Sequence, residues 1–345
     1  MKQEPERYAV SFDDTRICFR TEGSGFPLVL CNGILCSTGY WRYVRAFFRS
    51  RATVLSWDYR SHGRSEPARS PDNLTIESLC RDLLSVLDAA GVEKAALAGH
   101  SMGVQVILEF YRRYPERVAG LIPISGTYGD PCRTFYGMEW LGSVMPPLLR
   151  VGERIAGPLA RFVQPFLRSR LAIPMARASG SIHWYLCPGE VMEDYFRHLS
   201  SFDLRTAFRM GQAMAEHSAA DVLARVRVPT LVIAGEKDPF TPVWVAEKMW
   251  RAIPDAELLV VPRGTHTALV EDPLLVNLRV ELFLRDHFQD LGYRPVKALG
   301  DRLLRMELKR GPGLPPPASG GSRPEWNRSG APRSRQKSTR GSMSS

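Results

Sequence analysis

Gly99-His100-Ser101-Met102-Gly103 follows the short apolar run Ala96-Leu97-Ala98 and precedes Val104, Ile107, Leu108 and Tyr111, apolar residues at helical spacing. The five residues fit G-x-S-x-G. A serine centred in such a strand–turn–helix junction is forced into strained backbone geometry, and small flanking residues let strand and helix approach. Glycine and serine are common in ordinary turns, so the pentapeptide alone would say little. The strand before it and the helix after it give Ser101 the setting of a nucleophile.

A serine hydroxyl is a weak nucleophile at neutral pH and needs a histidine base, which needs a carboxylate to hold its tautomer and stabilise its cation. Two loops offer these groups. After a strand pattern at Thr230–Ala234 comes Gly235-Glu236-Lys237-Asp238-Pro239-Phe240-Thr241-Pro242; after another at Glu257–Val261 comes Arg263-Gly264-Thr265-His266-Thr267. Asp238 and His266 are the expected partners of Ser101. Asp130, shortly after the strand pattern Val118–Ile124, is the rival acid.

Further strand patterns fall at Phe26–Cys31, Thr53–Trp57 and Ala95–Gly99, with helical patterns at about 40–49, 75–91, 102–114, 242–252 and 273–288. This alternation predicts an α/β fold with a mainly parallel, doubly wound sheet covered on both faces. Tyr8–Phe12 and Arg16–Arg20, separated by a turn containing Asp13-Asp14, read as an antiparallel hairpin before it. Residues 128–224 break the alternation with a helix-rich block full of aromatics, methionines, prolines and arginines. A structureless loop of that length is implausible, so the block reads as an inserted helical cap. The expected division is a core of residues 1–127 and 225–292, a cap of 128–224, and a tail of 293–345.

The chain of 345 residues carries a formal net charge of +10. Residues 291–345 hold 12 Lys and Arg against 3 Asp and Glu, which leaves the rest near +1. Rich in Pro, Gly, Ser and Arg, the tail cannot bury enough apolar surface to offset its ordering entropy, so disorder is expected after a short helix at 297–309. Its charge suggests weak contact with anionic membranes or polyanions. Aromatic interleaving is limited to Trp326 and no nucleic-acid motif precedes it, so no specific nucleic-acid binding is expected.

Met1–Arg7 lacks the apolar core of a secretory signal and no apolar run is long enough to span a bilayer, so a cytoplasmic location is expected. Cys18, Cys31, Cys36, Cys80, Cys132 and Cys187 show no C-x-x-C spacing, which predicts free, mostly buried thiols. No carboxylate–histidine spacing suggests a metal site, and cofactor-free chemistry is expected.

With Ser101, Asp238 and His266 in that chain order, roughly residues 8–290 resemble the α/β-hydrolase fold superfamily, in its branch of cap-bearing serine hydrolases such as esterases and lipases. The resemblance implies an oxyanion hole with one donor from the Met102 amide and a second, Ile34, from the loop after Leu28-Val29-Leu30. Where the family usually has His-Gly, this chain has Cys31-Asn32-Gly33-Ile34. Asn32 reads either as a support for that loop or as a plain turn residue. Asp58-Tyr59-Arg60-Ser61-His62-Gly63-Arg64-Ser65 resembles the family's D-x-R-G-x-G-x-S loop, with Ser61 in place of glycine, and its role there is to buttress the site. His62 is thereby set aside as a rival base, and His100 is expected in packing. Val104 stands where many relatives have another glycine.

Trp140, Met145, Phe162, Phe166, Trp184, Tyr185, Tyr195, Phe196, Phe202, Phe208, Met210 and Met214 suggest, collectively, an apolar pocket between cap and core. His183, His198 and His217 in the same block read as packed or solvated. A hydrophobic carboxylic ester, with an apolar acyl or alcohol group, is the expected substrate class. A thioesterase, acyltransferase, C–C hydrolase or cofactor-free perhydrolase shares the same triad. Serine at the elbow argues against the epoxide hydrolases and haloalkane dehalogenases, which use aspartate. A non-catalytic ligand-binding protein ranks below these, since it has no need of an intact triad. Trp140–Arg177, rich in Arg and poor in acids, leaves two readings open: a helix with a solvated basic face, which is favoured, and a surface attracted to anionic lipid.

Overall fold

Leu28–Cys31, Val54–Trp57, Ala95–His100 and Val118–Ile124 are buried at every position, without the alternation of a half-solvated strand. Such runs belong to central strands of a parallel sheet covered on both faces. The structure is a computed structural model and describes residues 5–295. Its described strands are β1 (Arg7–Val10), β2 (Arg16–Glu22), β3 (Pro27–Cys31), β4 (Thr53–Trp57), β5 (Ala95–His100), β6 (Val118–Ile124), β7 (Leu231–Gly235) and β8 (Glu257–Val261). They form one sheet in the order β1-β2-β4-β3-β5-β6-β7-β8. The β1–β2 and β2–β4 pairings are antiparallel, and all the others are parallel.

Each parallel crossover supplies a helix. α1 (Arg42–Phe48) follows β3, α2 (Ile76–Ala90) follows β4, and α3 (Met102–Arg113) follows β5. Thr75 caps α2 by accepting from the Ser78 amide at 3.1 Å, and Gly91, at φ 70°, ends it in the left-handed conformation. Between β6 and β7 runs a helical insertion of α4 (Leu141–Arg154), α5 (Ala156–Arg168), α6 (Ala172–Ala178), α7 (Gly189–Ser200), α8 (Leu204–Glu216) and α9 (Ala220–Leu223). α10 (Val243–Ala252), α11 (Ala268–Glu271) and α12 (Pro273–Phe288) complete the described α-helices. Apolar side chains of α2, α3 and α10 cover one face of the sheet, and those of α1 and α12 cover the other.

The expected hairpin forms with shifted bounds: β1 spans Arg7–Val10, β2 runs on to Glu22, and Phe12 belongs to the turn, where the Arg60 and Arg81 guanidinium groups lie over its ring. β7 begins one residue later than expected because Thr230 makes only an isolated bridge to Leu121. All six cysteines are free and buried. Among the described residues no helix is long and apolar enough to cross a membrane. The helix expected at 297–309 and the tail beyond it lie outside the described residues.

Candidate active site

Ser101 directly follows β5, at the N-cap of α3, with φ 55° and ψ −116°, a conformation that side chains rarely adopt. Close backbone approaches hold it there. A Cβ on Gly99 would fall 2.3 Å from the Gly103 carbonyl oxygen, and one on Gly103 would fall 2.3 Å from that of Cys31. The two glycines are thus steric requirements of the junction between β5, α3 and the adjacent β3.

Parallel pairing of β7 with β8, in the register Gly235 to Val261, sets the loops that follow them side by side. His266 Nε2 lies 3.0 Å from Ser101 Oγ, and His266 Nδ1 lies 2.9 Å from Asp238 Oδ2. Asp238 Oδ1 accepts the backbone N–H groups of Phe240 and Thr241 at 2.9 and 3.0 Å, and Oδ2 also accepts the Thr241 hydroxyl at 2.7 Å. Burial pushes this carboxyl upward, but the facing His266 and the Thr241 hydrogen bonds outweigh it, and its pKa lies below the ordinary carboxylate value. The carboxylate is therefore charged at neutral pH and directed at the imidazole.

The loop after β3 rests against the nucleophile, since a Cβ on Gly33 would fall 3.2 Å from that of Ser101. Asn32 anchors this loop: its Nδ2 donates to the Trp57 carbonyl at 2.8 Å, its Oδ1 accepts from Trp41 Nε1 at 2.9 Å, and its own carbonyl accepts the Tyr59 hydroxyl at 2.7 Å. Of the two readings open for Asn32, the structure selects the supporting one. Ile34 borders the cavity above Ser101, and Met102 begins α3 directly after it. Among the described residues, neither the Ile34 nor the Met102 amide is engaged in a hydrogen bond.

The 58–65 loop buttresses from behind. Arg60 is fully buried against Asp82 and Asp13, at 2.6 and 2.9 Å. Ser61, where relatives have glycine, sits at φ 61°. His62 accepts the Leu35 amide on Nε2 at 3.3 Å while Nδ1 donates to the Arg60 carbonyl at 3.0 Å, and burial pushes its pKa down to about 4. It is a neutral pin for the loop that carries Ile34.

The model of the alpha/beta hydrolase fold matches residues 27–273. The chain belongs to the α/β-hydrolase fold family. A protein of Azorhizobium caulinodans whose name assigns it provisionally as the carbamate hydrolase RutD is 27% identical over 268 residues, covering 76% of this chain and 93% of that one. Among solved structures, a thermophilic esterase from Thermogutta terrifontis superposes with a TM-score of 0.65 at 24% identity, over 82% of this chain and 99% of its own. The enol-lactonase of Burkholderia xenovorans LB400 does so with 0.65 at 23%, over 81% and 100%. At these identities the two structures speak for the fold alone.

Within this α/β-hydrolase, Asp130 takes no part in the Ser101–His266 line. Its carboxylate accepts the Cys132 amide at 2.9 Å, capping a short turn, and pairs with Arg133 at 3.4 Å. His100 does more than pack: its Nε2–H donates to the His266 carbonyl at 3.0 Å, and burial pushes its pKa down to about 3, which keeps it neutral. Glu271, which sequence reasoning missed, accepts the Thr265 amide at 2.7 Å, the Thr265 and Thr267 hydroxyls at 2.6 Å each, and the His183 amide at 2.8 Å. It clamps both sides of the His266 loop to the helical insertion. The only prior signal was a carboxylate five residues beyond His266 in an otherwise apolar turn.

Ser101 and His266 open into a cavity of about 330 Å³ whose walls are mainly apolar. The insertion contributes Ile182, Met192, Tyr195, Phe196, Leu199 and Met214, opposite Phe240 and Tyr40 of the core. Only Tyr195, Phe196 and Met214 of the expected pocket residues are among them. Phe202 packs on His62, Phe208 lies against Gly152 of α4, and Met210 is buried in the core. Trp140, Phe162, Trp184 and Tyr185 point outward, with Phe162 76% and Tyr185 91% exposed. Apolar character marked these residues for burial without stating a direction, and the direction is outward.

Proposed function

We propose that this α/β-hydrolase cleaves a carboxylic ester bearing an apolar acyl or alcohol group through an acyl-enzyme on Ser101. The observation that carries the reading is the unbroken line from Ser101 Oγ through His266 to the buried, ionised Asp238. Ser101 Oγ attacks the ester carbonyl as its proton passes to His266 Nε2, and Asp238 stabilises the imidazolium that forms. The Met102 and Ile34 amides receive the charge developing on the carbonyl oxygen, a contribution that in such sites amounts to about 10²–10³ in rate per donor. Collapse returns the proton to the leaving alcohol; water, activated by the same histidine, then releases the acid and frees Ser101. The helical insertion acts as the cap, and its apolar side chains make the cavity favourable for hydrocarbon.

The test pairs a fluorophosphonate probe with a p-nitrophenyl ester series of increasing chain length. The purified protein should label covalently and prefer medium acyl chains over acetate, while Ser101→Ala should abolish labelling and lower kcat by several orders of magnitude. Labelling retained in folded Ser101→Ala, or turnover of thioesters or acyl transfer far exceeding ester hydrolysis, would replace this reading.

A further inference from the structure

The outer face of the helical insertion is apolar where a solvated surface would be polar. Trp140, Val144, Leu148, Val151 and Ile155, on α4 and its flanks, follow the 3.6-residue period and form one stripe, and each is 41–59% exposed. The opposite side of α4 packs on α8, where Gly152 meets Phe208. Two more exposed apolar pairs four residues apart follow: Phe162 and Phe166 on α5, then Leu171 at the N-cap of α6 and Met175 within it. Scattered apolar residues on a surface are ordinary, but an exposed stripe on one helix followed by exposed apolar pairs at the next two is not.

Charge accompanies the stripe. Residues 141–189 contain six arginines (150, 154, 161, 168, 170 and 177) and a single acid, Glu153. Glu153 faces inward to Gln212, at 2.8 Å, and to Arg209. Arg154, Arg161 and Arg170 are exposed, and none has an ion pair among the described residues. The solvated-helix reading of this stretch requires the apolar side to be covered and only the basic side open. Here both are open.

We propose that α4, α5 and α6 form a peripheral docking surface for anionic membrane lipid, with the exposed apolar side chains entering the headgroup–acyl boundary and the arginines reaching lipid phosphates. Apolar side chains beside long cationic ones that snorkel to the interface are the composition such binding needs. Charge separates this occupant from two others. A second copy of the face would oppose arginine to arginine, and residues 296–345, with 11 basic and 3 acidic side chains, carry the same sign. An anionic bilayer complements both the apolar and the basic character. α6 links this face to the cavity, since Ala176 lines the cavity while Leu171 and Met175 face solvent. The proposal holds whichever bond the active site cleaves, because it concerns binding alone.

The test is co-sedimentation of the full chain with mixed phosphatidylcholine–phosphatidylglycerol vesicles and with pure phosphatidylcholine vesicles. Binding should favour the anionic vesicles. Leu148→Ser/Phe162→Ser/Leu171→Ser should weaken it about tenfold while short-ester turnover and Tm stay unchanged, and Arg154→Gln/Arg161→Gln/Arg170→Gln should remove the anionic preference. As a check that perturbs folding least, brominated lipid should quench tryptophan emission of the unaltered chain, and Trp140→Phe should lose most of that quenching. The proposal is overturned if the unaltered chain ignores vesicles, if the apolar variant binds as well as before and so assigns the attraction to the basic tail, or if light scattering shows a dimer that this variant disperses.

Discussion

Replacing Asp238 by asparagine tests the geometry of the site at its least substitutable atom. The aspartate Oδ1 accepts two backbone amides, so the asparagine carbonyl must take that position, and the amide nitrogen then faces His266 Nδ1 and the Thr241 hydroxyl. An N–H pointing at Nδ1 makes that atom an acceptor and moves the imidazole proton to Nε2, which faces Ser101 Oγ at 3.0 Å. A protonated Nε2 cannot take the serine proton, and a neutral amide no longer stabilises the imidazolium. Comparable wrong-tautomer variants of serine triads lose about 10⁴ in kcat, which corresponds to about 5.5 kcal/mol of transition-state stabilisation. Folding should suffer far less, by about 2 kcal/mol at most, because the shape and both amide contacts persist and the Thr241 hydroxyl can rotate to accept. The assay is kcat/KM on a soluble p-nitrophenyl ester, with Tm measured in parallel and Asp130→Asn as the companion variant. A loss below tenfold in folded Asp238→Asn, or an equal loss in Asp130→Asn, would refute the assignment.

Gly103→Ala places a Cβ against the Cys31 carbonyl, a backbone atom that cannot turn away; denaturation should show a loss of roughly 3 kcal/mol or no soluble protein, and an unchanged Tm would contradict the packing described. Glu271→Ala leaves two threonine hydroxyls and two amides without their acceptor, so kcat should fall and amide exchange around His266 should accelerate; undisturbed exchange would show that the clamp is idle. Stability should decline in mild acid. The pKa values of His62 and His100 are pushed down to about 4 and about 3, whereas an unfolded histidine titrates near 6.5, so below that pH the unfolded chain binds protons that the native one refuses. The contribution is complete above about pH 6.5 and is lost as pH falls toward those lower values, on the order of 3–4 kcal/mol between pH 7 and 5 for the two together. Equal Tm values at pH 7 and pH 5 would show that these rings are not held neutral.

Local pattern carried most of this protein's architecture. Mainly apolar runs of strand length, helical spacing after them and glycines at the turns define β3 to β8 and their helices, because each signal lies within a dozen residues and the physics that reads it is equally local. The chain order of Ser101, Asp238 and His266 was legible for the same reason: each stands in a loop directly after a strand. Tertiary structure decided what depends on distant partners. Asp130 and Asp238 both follow strands, and only the pairing of β7 with β8 brings one of them to His266. Glu271, the neutral pin His62 and the bond from His100 to the His266 carbonyl join segments up to 166 residues apart, beyond the reach of any periodicity. The insertion shows the limit most plainly, since an apolar stripe at helical spacing reads the same from sequence whether it meets a core or solvent. Trp140, Leu148 and Phe162 have the character of buried residues and face outward, because α4 and α5 had already covered their inner sides with α7 and α8.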